Sequence, residues 1–144
     1  MSFRALFHAL PLLAAGAFAA PALAEGPTVY LISPEDGAVL SSPVTVRFGL
    51  AGWGVAPAGV DMPGTAHHHL LLNRPPFGEG EDDADMMQGG LYADAEHLHF
   101  GGGQTETVLD LPPGRHSLQL VLGDANHVPH DPPIVSEVIE ITVE

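Results

Sequence analysis

Apolar and polar residues alternate through several short stretches of this chain, which is the pattern of half-buried β-strands. In the clearest stretch, Val44, Val46 and Phe48 share one face. Further strand-like runs cover residues 29–32, 67–72, 105–111, 116–122 and 135–143. Turns rich in Pro and Gly separate the runs, and no helical period is found outside the N-terminal segment. The pattern predicts an all-β fold, an immunoglobulin-like antiparallel β-sandwich of about seven strands.

Two stretches do not follow the strand pattern. Residues 51–66 are rich in Gly, Ala and Pro, and residues 73–96 contain a dense run of acidic side chains. The second stretch does not match a calcium-binding loop, because Met87 replaces an oxygen ligand and no Gly follows it. We interpret residues 73–96 as a long, solvated and mobile acidic loop of a single domain.

The N-terminus has the features of an export signal. Arg4 precedes an apolar run from Ala5 to Ala20, and Ala22-Leu23-Ala24 provides small residues for cleavage. A membrane anchor is the alternative, but the run is short for a bilayer span and Pro11 interrupts it. We therefore predict a cleaved signal peptide over residues 1–24, a mature domain over 25–144, and a periplasmic or secreted location.

The charge and the cysteine content of the chain limit the classes of partner and of site chemistry that it can have. Residues 25–144 hold three Arg, no Lys and all 18 acidic residues, so their net charge with neutral histidines is −15. Nucleic acids and anionic membranes are bound mainly through Lys and Arg, and we exclude both as partners after signal cleavage. The absence of Cys removes disulfides, thiolate ligands and thiol nucleophiles. A metal ion is the expected partner, because excess acid attracts cations.

Eight of the nine histidines lie in residues 25–144, most of them in three groups. Side chains at i and i+2 of a strand point to the same side, so an H-x-H sequence directs two imidazoles at one volume. Imidazole is a ligand for copper and zinc. The predicted metal ligands are His67, His69, His97, His99, His127 and His130. Asp124 and Asp131 are predicted to orient these ligands without binding the metal themselves.

The two other histidines in this region are interpreted as structural. His116 follows a Pro-Pro-Gly turn at the start of a strand, where a ring often bonds to the backbone. His68 shares a strand face with Leu70 and Leu72, which places it in the apolar core.

Three segments carry a resemblance to a known family. They are Gly64-Thr65-Ala66-His67-His68-His69-Leu70-Leu71, His99-Phe100-Gly101-Gly102-Gly103-Gln104-Thr105-Glu106, and Leu122-Gly123-Asp124-Ala125-Asn126-His127-Val128-Pro129-His130-Asp131-Pro132-Pro133. Together they resemble a bacterial exported family classed as a domain of unknown function, with Ala66 where the family pattern has Gly. Residues 32–40 also resemble the first strand and turn of periplasmic copper-resistance and immunoglobulin-like sandwich domains. The family resemblance implies membership and no activity.

Three functions agree with these observations. The first is a histidine-rich protein that binds copper or zinc, and the alternative is an immunoglobulin-like interaction module without metal. The third is a metal-dependent redox enzyme, although enzymatic activity is the less favoured interpretation. The chain lacks the G-x-S-x-G, H-E-x-x-H and phosphate-loop motifs of common enzymes.

Overall fold

The computed structural model describes residues 26–144 of the chain. The predicted signal peptide and its cleavage site lie outside the described residues. Within them, no helix has the length and apolar character needed to cross a membrane.

Nine strands and one short helix form the described part of the chain. The strands are β1 (Thr28–Ser33), β2 (Val39–Leu40), β3 (Val44–Ala51), β4 (Gly54–Val55), β5 (Thr65–Leu72), β6 (His97–His99), β7 (Glu106–Leu109), β8 (Gly114–Gly123) and β9 (Ile139–Val143), and the helix α1 is Asp83–Gly89. Two strands, β2 and β4, have only two residues each. The prediction of an all-β sandwich is confirmed, with seven strands longer than these two.

The strands form two sheets. The smaller sheet has the order β1-β3-β7, and the larger has the order β2-β9-β8-β5, with β4 and β6 both pairing along the free side of β5. All pairings are antiparallel except those of the two shortest strands. The central position of β5 and β8 in the larger sheet explains why most of their residues are buried.

The main core lies between the two sheets. Side chains that face inward from both sheets pack together there. They include Val46 and Phe48 from β3, and Leu118 and Leu120 from β8. His68 lies in this core with no exposed surface, and its ring centre is 5.3 Å from that of Phe48. The structure therefore places His68 among apolar residues, as its strand face predicts.

A second apolar cluster covers the outer face of the larger sheet. Leu71 of β5 and Val121 of β8 pack there against Met86 and Leu91, with Phe77 at the margin. Met86 belongs to α1, so the acidic stretch 73–96 contains a helix and contributes core residues. The interpretation of this stretch as a loop is therefore wrong for residues 83–89 and for the buried Met86 and Leu91, whereas most of its acidic side chains are exposed, as predicted. Sequence periodicity missed α1 because seven residues are too few to display a repeating apolar stripe.

Asp83 holds the acidic segment together. Its Oδ2 accepts hydrogen bonds from the backbone N–H groups of Gly78 at 2.7 Å and Gly80 at 2.8 Å. Its other oxygen faces the guanidinium of Arg74 at 3.7 Å. Asp83 is only 2% exposed, and these partners offset the desolvation of a buried carboxylate. One acid of the run is thus structural, in contrast to its solvated neighbours.

Candidate metal centre

Strand alternation and register bring three histidines together on the outer face of the larger sheet. On β5, Ala66, His68 and Leu70 face the main core, so His67 and His69 face the opposite way. The antiparallel register places His99 of β6 directly opposite His69. Because opposite residues of neighbouring strands point to the same side, the three rings share one volume.

His127 reaches this volume from the loop that follows β8. The loop is a tight turn in which His127 donates its backbone N–H to the carbonyl of Asp124 at 3.0 Å. Its φ of 67° lies in the left-handed region, which is uncommon for a residue other than Gly. The backbone carbonyl of His127 also accepts a hydrogen bond from Leu91 at 2.7 Å. These contacts fix the unusual conformation, in which the ring lies beside those of His67 and His99.

The distances within the group suit one small cation. Single ring nitrogens of His67, His69 and His99 all lie within 4.8 Å of one another. The two Nε2 atoms of His67 and His69 are 3.0 Å apart. In a tetrahedral zinc site, bonds of about 2.0–2.1 Å place neighbouring nitrogens about 3.3 Å apart and ring centres about 5 Å apart. The nitrogen pair is therefore close to the spacing that a bound ion requires.

The ring of His127 adjoins these three, although its nitrogens do not lie within 4.8 Å of all of theirs. Four rings define six centre-to-centre distances. Five of the six centre-to-centre distances lie between 4.7 and 5.1 Å. The sixth, from His69 to His127, is 6.1 Å. We name the set His67, His69, His99 and His127 the histidine cluster.

The exposed fraction of the histidine side chains increases from the sheet side of the cluster to its solvent side. His67 and His69 are at most 1% exposed, whereas His99 is exposed and His127 is half-buried. The cluster therefore opens at the surface beside His99.

Burial also determines the protonation of the cluster. Desolvation is the largest cause that lowers the pKa of His67 to about 4 and that of His69 to about 2, and neighbouring histidines add to both shifts. Desolvation lowers the pKa of His99 as well. These three imidazoles are therefore neutral at pH 7, which is the form that binds metals.

Gly123 is a part of the site that the sequence analysis did not single out as functional. It lies opposite His67 in the register of β5 and β8. A Cβ atom on Gly123 would lie 3.1 Å from Nε2 of His69 and 3.4 Å from Cε1 of His67. The glycine at the end of an apolar strand was the available signal, since such a residue often marks a close approach.

The structure brings together five of the six predicted ligands. His97, on β6, contacts His69 from the side away from His67. His130 lies apart, with its ring 4.9 Å from that of Trp53. Asp131 is exposed and lines the same surface cavity as Trp53 and His130.

The other predicted orienting acid, Asp124, acts on the loop backbone. Its Oδ1 accepts hydrogen bonds from the N–H groups of Asn126 at 2.7 Å and Val128 at 2.9 Å. The two donors are the residues directly before and after His127 in the sequence. Asp124 therefore positions the loop that carries His127. The backbone partner predicted for His116 is present, since its Nε2 donates to the carbonyl of Pro112 at 2.9 Å.

The fold and the site define an immunoglobulin-like β-sandwich with a histidine cluster on the outer face of its larger sheet. The chain belongs to the family described as a domain of unknown function, DUF4399, whose family model matches residues 46–144. No curated protein sequence matches the chain.

Solved structures show a general likeness. The endo-β-1,4-mannanase from Thermotoga petrophila is similar at 16% identity and a TM-score of 0.48, over 84% of this chain and 20% of that one. The fibronectin(III)-like modules of CbhA from Clostridium thermocellum are 13% identical, with a TM-score of 0.37, over 81% of this chain and 45% of theirs. The PKD domain of human KIAA0319 is 14% identical, with a TM-score of 0.41, over 82% and 80%. This chain thus spans less than half the length of the first two.

Proposed function

We propose that this protein is an exported metal-binding protein that holds one copper or zinc ion in the histidine cluster. The observation that carries the proposal is the spacing of the four rings, because five of six centre distances match those around a single tetrahedral ion. The proposed ligands are His67, His69, His99 and His127.

A bound cation would account for the energetic cost of the cluster. Burying a polar group costs free energy unless it gains a hydrogen-bond partner. The Nε2 atoms of His67 and His69 are hydrogen-bonded to each other. A metal would satisfy both lone pairs at once. Zinc favours four ligands in a tetrahedron, whereas divalent copper binds imidazole more tightly but favours flatter geometry.

The export part of the proposal depends on the N-terminal sequence alone. A periplasmic or secreted protein with this net charge would meet metal ions before they reach the cytoplasm. Carrying or buffering an ion is the role that such a site would serve, since the cluster opens at the surface beside His99.

The test is metal titration of chelator-treated protein expressed from the full coding sequence. We expect one zinc or copper ion per chain at micromolar concentration or below. His67→Ala with His69→Ala should abolish binding, and His116→Ala is the matched control because His116 is buried outside the cluster. If the wild type binds neither ion below millimolar concentration, or the double variant binds as the wild type does, the proposal is wrong.

A second candidate function, an interaction module, is favoured by a different surface. The outer face of the smaller sheet exposes three large apolar residues, Tyr30 at 44%, Ile32 at 54% and Val108 at 58%. Exposed large apolar side chains on one sheet face occur at protein contact surfaces, although here Thr45 and Arg47 of β3 lie between those of β1 and that of β7. Analytical ultracentrifugation of the wild type and of Ile32→Ser with Val108→Ser distinguishes self-association through this face from a monomer in solution.

A further inference from the structure

The two ring nitrogens of His69 have different neighbours. Nε2 is 3.0 Å from Nε2 of His67, inside the histidine cluster. Nδ1 is 3.1 Å from Nε2 of His97, on the far side of the ring. Three imidazoles thus form a hydrogen-bonded row in which His69 is central and His97, which has no exposed surface, is at one end.

This row separates His97 from the ion that the cluster would hold. The two nitrogens of an imidazole diverge, so an ion bound to Nε2 of His69 lies on the opposite side of that ring from His97. A histidine ligand commonly donates its second ring N–H to an acceptor, which selects the tautomer and fixes the ring. His97 occupies the position of that acceptor.

The acidic segment holds His97 in place. The backbone carbonyl of His97 accepts a hydrogen bond from the backbone N–H of Asp94 at 2.9 Å. The ring centre of His97 is 5.7 Å from that of Tyr92. Tyr92 in turn donates its hydroxyl to Asp82 at 3.0 Å and lies under the guanidinium of Arg74. His97 is therefore fixed by the segment that packs over the sheet.

We propose that His97 is a positioning residue of the metal site, which accepts a hydrogen bond from Nδ1–H of His69 and so commits Nε2 of His69 to the ion. This proposal rests on the proposed function, because it assigns a role toward the same ion. It divides the histidines near the ion into four ligands and one residue that acts through a ligand.

Two variants of His97 that have side chains of similar size but different hydrogen-bonding capacity test the positioning role. His97→Gln keeps an acceptor at about the reach of Nε2, whereas His97→Leu removes it and keeps the bulk. We expect His97→Leu to weaken zinc affinity about 10- to 100-fold at an unchanged stoichiometry of one, as for other outer partners of metal ligands. His97→Gln should restore most of the affinity. The visible spectrum of the cobalt-substituted protein should be the same in His97→Gln and wild type, because no ligand has changed.

Each outcome of the experiment is decisive. If both variants lose binding as completely as His69→Ala and the cobalt spectrum changes, His97 is a ligand and the proposal is overturned. If His97→Leu binds zinc like the wild type, its role is packing alone and the proposal is also overturned. If His97→Leu fails to fold by circular dichroism, the affinity and spectrum of His97→Gln decide. Absence of binding in the wild type would instead refute the proposed function.

Discussion

Gly123 and His69 are in such close contact that a single added carbon would lie 3.1 Å from Nε2 of His69. Both residues belong to central strands of the larger sheet, so neither backbone can move away cheaply. His69 is fully buried and hydrogen-bonded at both ring nitrogens. The small size of Gly123 therefore determines the space in which Nε2 of His69 can meet an ion.

Gly123→Ala should block metal binding without unfolding the protein. The added Cβ would press on His69 and on Cε1 of His67, and overpacking of this kind costs about 1–3 kcal/mol of stability. We expect zinc affinity to fall at least tenfold in isothermal titration, with the β-sheet circular dichroism spectrum retained. Gly89→Ala is the matched control, since a Cβ there meets no atom within 4 Å. Unchanged affinity in Gly123→Ala would contradict the assignment of Nε2 as the ligand atom.

The two histidines of the loop after β8 should differ in their effect on metal binding. The ring of His127 is 5.1 Å from His67 and 4.7 Å from His99, whereas His130 packs against Trp53. We expect His127→Ala to reduce affinity for zinc or copper by more than tenfold and His130→Ala to leave it unchanged. Competition with a chromophoric chelator measures both affinities. The reverse ranking would mean that the loop binds the ion through its other histidine.

The sequence was sufficient to predict the sandwich, and all four histidines of the cluster are among the six that it named. Alternation places His67 and His69 on one face from local geometry alone, because side chains of a strand point to opposite sides in turn. It could not separate His97 from His99, because which member of an H-x-H pair meets the ion depends on the partner strand. That His99 lies opposite His69 is a matter of register, which no short motif encodes.

The loop and the acidic segment were less predictable for a related reason. His127 and His130 lie in the same Pro-containing loop, and only His127 has the left-handed backbone that accompanies its place in the cluster. In the acidic segment, Met86 and Leu91 are buried by contacts with Leu71 and Val121, which are distant along the chain. Tertiary contacts of this kind leave no periodic signal in the segment itself.

The metal-free protein should lose stability as the pH falls from about 6.5 toward about 4. The pKa of His67 and that of His97 are both lowered to about 4 by burial, whereas an unfolded chain has a histidine pKa of 6.5. Between these values the unfolded chain binds more protons than the native one, so protonation favours unfolding. Urea unfolding with a chelator present, at pH 7.5, 5.5 and 4.5, measures the effect. His97→Gln should show a shallower loss of stability over this range, and an identical slope would mean that His97 does not contribute.

Asp83→Ala should detach the acidic segment from the sheet while leaving the sandwich folded. The carboxylate of Asp83 is the shared acceptor for Gly78 and Gly80 and the partner of Arg74, all in a nearly buried site. Its removal leaves backbone donors unsatisfied, at a cost of about 1–3 kcal/mol. We expect faster amide hydrogen exchange in α1 and around His97, whose neighbours belong to this segment, and little change in β3 and β8. Glu79→Ala is the matched control, because Glu79 is an exposed acid of the same run. Equal exchange rates in the two variants would show that the segment is held by its apolar contacts, Met86 and Leu91, and not by the Asp83 carboxylate.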